Sequence, residues 1–149
     1  MGNIYAGRRA FKLAANIMGS DKDSVIDRLL EAASSQIELQ TRRLFVPKTQ
    51  TRLYRYPSHD TGRSDWLWLD EDLISITTLQ SKAQDSSPTT IAAADYFLEP
   101  ANSGPPYNRI EIDLSSSAAL ESGNTPQRSI SVLGSWGYTN ATKTGGTIS

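Results

Sequence analysis

SDKDSVIDRLLEAASSQIELQTRRLFVPKTQTRLYRY, residues 20–56, decides the fold class, because the apolar spacing changes once within it. Up to Leu44 the spacing is helical. Ile26, Leu29, Leu30, Ala33, Ile37 and Leu44 fall within an arc of about 100°. Ser20 or Asp21 can cap this helix, with Asp23 as a capping-box partner three residues after Ser20. Pro47, which has no N–H to donate, is expected to stop it. Glu38 and Arg42 form an i,i+4 pair in the favourable order. Beyond Pro47 the period falls to two. Thr51, Leu53 and Arg55 share one side of a strand, and Arg52, Tyr54 and Tyr56 share the other.

The helix carries a second apolar seam. Val25, Ala32 and Leu39 recur every seven residues, about 120° from the main stripe. One stripe suffices to seat a helix on its own domain. A second implies a helix covered on two sides, or a contact with another subunit. Upstream, residues 6–18 predict a shorter helix, with Ala10, Phe11, Ala14, Ile17 and Met18 on one side and Gly19 as its stop. Arg8, Arg9 and Lys12 form its candidate basic face. Such a face can meet a membrane or nucleic acid, and its plainer reading is the solvated side of a packed helix.

Downstream the pattern is β throughout. Strands are predicted at 49–56, 66–69, 73–79, 95–99, 108–114 and 129–138, with polar or Pro/Gly-rich connections such as 57–62, 81–90, 100–107 and 115–128. Within them Ile74, Ile76 and Thr78 are expected on one face, Ile110, Ile112 and Leu114 inward, and Ile130, Val132, Trp136 and Tyr138 together. The expected fold is α+β: N-terminal helices, one of them long and amphipathic, followed by a small antiparallel sheet or sandwich. The organisation is a helical portion 1–48, a β portion 49–138 and a flexible Thr/Gly-rich tail 139–149 in one structural unit.

Composition narrows the chemistry. A chain of 149 residues fits one domain with a real core. It has no cysteine and one histidine, which excludes disulfide frameworks, thiol nucleophiles, zinc ribbons and clustered-His metal sites. Net charge is −1, but residues 1–48 hold eight Lys/Arg against five Asp/Glu, while residues 49–149 hold seven against eleven. No apolar run approaches the roughly 20 residues that span a bilayer. The N-terminus has neither an apolar signal core nor a myristoylation pattern, so synthesis in a reducing cytoplasm is expected. The Asn140-Ala141-Thr142 sequon then reads as chance.

Three places could carry chemistry. Asp70-Glu71-Asp72 is the densest acidic cluster, but its spacing suits a solvated turn between two strands and lacks further ligands at metal-binding spacing. His59 sits in a polar loop near Asp60, Ser64 and Asp65, without the glycine frame of a nucleophile elbow. Trp66 and Trp68 alternate with Leu67 and Leu69, so one pair faces inward and the other outward. No catalytic residue, cofactor site or metal site follows, and a non-enzymatic protein is expected.

An ordered series of residues carries a resemblance. It runs Asp23-x-x-Ile26-x-x-Leu29-Leu30-x-x-Ala33-Ser34-x-x-Ile37-Glu38, Thr41-Arg42-Arg43-Leu44-Phe45 and Thr51-Arg52-Leu53-Tyr54. It continues through Leu67-x-Leu69-Asp70-x-Asp72-Leu73-x-Ser75-Ile76, Tyr96-x-Leu98-x-Pro100-x-Asn102 and Asn108-Arg109-Ile110-x-Ile112 to Val132-x-Gly134-x-Trp136-Gly137-Tyr138. Over about residues 5–138 this resembles the head–tail connector (adaptor, or head-completion) proteins of long-tailed bacteriophages and gene-transfer particles. The resemblance implies a structural virion protein of the phage neck, made in the host bacterial cytoplasm. It implies a ring, usually of twelve copies, beneath the portal protein. That ring extends the channel through which viral DNA passes without sequence recognition. A head-closure (stopper) or tail-completion protein docks below. Relatives commonly continue past the Trp-Gly-Tyr strand, where this sequence has only a Thr/Gly-rich tail.

A ring needs two different side faces, since closed rings use heterologous contacts. Val25, Ala32 and Leu39 are the expected oligomer or partner interface. The alternative from another class is a carbohydrate- or surface-binding β module with a helical extension, stacking ligand on Trp66, Trp68 and tyrosines.

Overall fold

A computed structural model describes residues 4–57 and 63–138, together with the strand residues 143–144 and 147–148. His59, Asp60 and the 140–142 sequon lie outside the described residues. The elements run α1 (Arg8–Ala14), α2 (Asp23–Thr41), β1 (Lys48–Tyr54), β2 (Trp66–Ser81), β3 (Thr89–Ile91), β4 (Tyr96–Glu99), β5 (Tyr107–Ile112) and β6 (Ile130–Trp136). Two short strands, β7 (Lys143–Thr144) and β8 (Thr147–Ile148), pair in the tail. The class is α+β: two helices, then a six-stranded antiparallel sheet of order β1-β6-β2-β5-β4, with β3 paired to the end of β2.

The core is built where alternation is cleanest. β6 alternates buried and half-buried residues along its length, with Ile130, Val132 and Trp136 fully covered. From β2 and β5, Leu67, Leu73, Leu79, Ile110 and Ile112 join the same cluster, as does Leu120 from the 115–128 connection. Trp136 donates its indole N–H to the Gln50 carbonyl at 3.0 Å, so the largest buried side chain has no orphaned donor.

β2 departs from the sequence expectation. Residues 66–69 and 73–79 were expected as two strands joined by an acidic turn. They form one 16-residue strand with the acids in its middle. Its first half pairs with β5 and its second with β6, and register shifts at Trp68/Leu73, Leu73/Ser75 and Ile76/Thr78 bend it between the two. The first shift adds three residues and the other two add one each, which breaks the two-residue period. Leu73, Ile76 and Leu79 therefore reach the core rather than Ile74, Ile76 and Thr78 as a set. The close approach demands a glycine at 134, since a Cβ there would stand 2.3 Å from the Ser75 carbonyl oxygen. Gly137, at φ +151°, turns the chain out of β6 against Leu44 and Pro47.

Smaller corrections follow from tertiary context. β5 ends at Ile112, so Leu114 is exposed rather than inward. β3 pairs within a stretch expected to be loop. Tyr138 lies beyond β6 and is partly exposed.

The helices differ more. α1 is shorter than expected by about half a turn at its start and one turn at its end, and it has no buried residue. α2 begins at Asp23 after Lys22, without a side-chain cap from Ser20 or Asp21. It ends at Thr41, well before Pro47, because Arg42 adopts the left-handed conformation at φ 52°, ψ 33°. Leu44 thereby leaves the helix. Of the expected core stripe only Ile26 is buried, together with Ser34, while Leu29 is 62% exposed and Ile37 44%.

Candidate interaction surfaces

Ion pairs join α1 to α2. Arg8 bridges to Asp27 at 2.6 Å and to Asp23 at 3.6 Å, and Lys12 reaches Asp23 at 2.6 Å. The Lys12 ammonium bonded to Asp23, with Arg8 beside it, holds that carboxyl below the usual carboxylate range against a smaller opposing effect of desolvation. Two of the three expected basic-face residues are thus committed to an internal contact, and Arg9 stays exposed.

Residues 34 and 38 hold the segment before α1. Ser34 Oγ donates to the Leu30 carbonyl at 2.8 Å and accepts the Tyr5 N–H at 3.0 Å, which satisfies a buried hydroxyl in both directions. The Tyr5 hydroxyl donates to Glu38. The Tyr5 ring stacks edge-on against Phe45, and Phe45 against Tyr138, at 5.5 and 5.6 Å. Arg43 lies over Tyr138 at 4.6 Å and reaches Asp72 at 3.5 Å. This aromatic chain joins the helices to the sheet. Sequence reasoning missed it; the signal was the unexplained polar pair Ser34/Glu38 at i,i+4 within an apolar helix.

What remains of α2 is uncovered. At 100° per residue Leu39, Ala32, Val25, Gln36, Leu29, Gln40 and Ala33 form a continuous arc of about 120°, and every one is exposed. Val25 is 53% and Leu39 74% exposed. The two seams expected from the sequence therefore merge at the surface. The acids of the helix, Asp23, Asp27, Glu31 and Glu38, face the opposite, partly buried side.

The acidic cluster is matched by cations. Arg52 contacts Asp70 at 3.3 Å and Glu71 at 2.8 Å, and Arg43 contacts Asp72. The Tyr54 hydroxyl donates to Asp70 at 2.6 Å; burial, then that bond, push its ionisation far above the usual phenol range. A cleft of about 220 Å³ lies between residues 41–44 and 69–72, but its carboxylates already have partners in the protein. Of the residues considered with His59, Asp65 is paired with Arg63 at 2.9 Å, and Ser64 is exposed.

A second uncovered surface lies on the sheet. On β2, β5 and β4 the inward residues are Leu67, Ile110, Ile112, Tyr96 and Leu98. Their alternates present Trp66 and Trp68, Arg109 and Glu111, and Phe97 and Glu99 on the other face. Register puts Trp66, Glu111 and Phe97 in one row and Trp68, Arg109 and Glu99 in the next. Trp68 is 49% and Phe97 53% exposed. Arg63 and Arg109 lie over the Trp66 ring at 4.0 and 4.2 Å, and Arg109 also lies over the Trp68 ring at 5.1 Å.

No family model, curated protein or solved structure matches the chain.

Proposed function

We propose that this chain is a structural protein of a phage-type neck, an adaptor ring joining a portal protein to a head-closure or tail-completion protein. The observation that carries the reading is the exposed, largely apolar arc of α2, which includes Val25, Ala32 and Leu39 together with Gln36 and Gln40. Leucines held this far into water on an ordered helix need a partner surface in the working assembly. The ordered residue series quoted above points to the class of partner. In this reading the amphipathic helix supplies contact surface, the bent sheet folds on itself as a sandwich, and about twelve copies surround passing DNA. The chain works without catalysis, metal or cofactor. It is made in the host cytoplasm and ends at the head–tail interface of the virion.

The mixed charge suits a channel, because a strongly basic lining would hold DNA that has to slide. Mass photometry and negative-stain imaging of the protein mixed with its own portal test the proposal. A ring seated on the portal is expected; a monomer that leaves the portal bare overturns it. The half-exposed Trp68 ring favours one other reading, a glycan- or surface-binding module. Glycan binding by a persistent monomer is its signature.

A further inference from the structure

The exposed side of α2 has a mainly cationic rim, with Asp21 the exposed exception at its start. Lys22, Arg28 and Arg42 are exposed at its start, flank and end, while the four acids within the helix lie on the other side. A two-fold contact between α2 helices would bring these cations together, so the helix face is poorly suited to meeting itself. The outward face of β2, β5 and β4 has the complementary rim. By strand register Glu99 and Glu111 lie on the same side as Trp68 and Phe97, with Glu111 paired to Arg109 at 3.2 Å and Arg63 over Trp66, while Asp95 and Asp113 flank the ends of β4 and β5. Both faces have exposed apolar centres: Val25, Leu29 and Leu39 on the helix, Trp68 and Phe97 on the sheet. They are carried by separate parts of the chain, for α2 leads into β1, at the opposite edge of the sheet order from β4.

We infer that the apolar face of α2 in one copy docks on the Trp68/Phe97 face of the next. This is a heterologous self-contact in which the helix rim of Lys22, Arg28 and Arg42 meets the acidic rim of β4 and β5. It rests on the ring reading and assigns that ring its two side faces. A head-to-tail contact of this kind propagates around a ring, whereas an isologous contact closes at a dimer.

The absence of cysteine makes the test clean. Leu39→Cys and Phe97→Cys are prepared as separate variants, both at exposed sites where folding is not at stake. They are treated with a short bismaleimide singly and mixed, with mass photometry on each sample. A cross-linked dimer in the mixture and in neither variant alone supports the inference. Self-cross-linking of Leu39→Cys overturns it in favour of helix-on-helix pairing. Assembled particles without any cross-link overturn the assigned faces while the ring reading stands. The samples are repeated with the portal present, and monomers that leave the portal bare in every one overturn both. As a second readout, Arg28→Glu should weaken assembly at least tenfold, and Glu99→Arg in the same chain should recover much of the loss. Failure of Arg28→Glu to weaken assembly refutes the charge pairing.

Discussion

Leu39→Glu separates folding from assembly. Leu39 is 74% exposed, so only about a quarter of its side chain is covered in the isolated protein. Full burial of a leucine contributes about 1.5–3 kcal/mol, which leaves roughly 0.4–0.8 kcal/mol to lose here. Glutamate has nearly the helix propensity of leucine, and a carboxylate in the last turn adds a cost of about 0.3–1 kcal/mol against the helix dipole. The expected total, about 1–2 kcal/mol, lowers the melting temperature by about 2–8 °C in a chain of this length. Trp136→Ala provides the contrast. That side chain is fully buried, and its truncation should cost about 3–5 kcal/mol. Assembly should respond in the opposite sense, because the new carboxylate would be buried against a neighbouring acidic rim. The assay pairs thermal melting with mass photometry at matched concentration. If Leu39→Glu melts like Trp136→Ala, the arc is covered within the monomer. If it assembles normally, the arc is not a contact. Either result refutes the reasoning.

Gly134→Ala forces a methyl into the Ser75 carbonyl and should destabilise the protein by at least about 1–3 kcal/mol, read as a lower denaturation midpoint with an unchanged slope. Ser34→Ala leaves the Tyr5 N–H without its acceptor, at a cost of about 1–3 kcal/mol; faster exchange of the Tyr5 amide and earlier proteolysis before α1 are expected while the sheet stays protected. Asp23 has a depressed folded-state pKa, so its stabilising effect is present above its ordinary value of 3.8 and is lost as pH falls through the lower folded value. Proteolysis at the α1–α2 junction should therefore rise on acidification below about pH 4, and Asp23→Asn should show the same susceptibility already at pH 7.

The strand that begins after Pro47 and the period-two runs of β5 and β6 were legible because they are local. A side chain's face follows from its position along one regular element. The bend in β2 was not legible. Asp70-Glu71-Asp72 reads as a turn when solvation is the only outlet for three charges, but Arg52 and Arg43 approach from other elements and allow the strand to continue. Ile37 was misassigned for a related reason. Periodicity identifies an apolar stripe, not what lies opposite it, and Ile37 stays 44% exposed. The candidate seam Val25, Ala32 and Leu39 could be named from spacing alone, whereas the sheet patch needed the register that aligns Trp68, Arg109 and Glu99.

By itself the sequence determined the α+β class, the order of helices before strands, and the buried sides of β5 and β6, because these depend on short-range periodicity and on where proline and glycine fall. Only the tertiary structure decided where α2 stops, where β2 bends and which apolar stripe stays in water. Those outcomes depend on contacts between residues far apart in the chain. Arg42 leaves the helix where the following residues reach Asp72 and Tyr138, and Gly134 admits Ser75. Ser34 turns inward because Tyr5, 29 residues earlier, bonds to it, and that rotation leaves Leu29 and Leu39 facing outward.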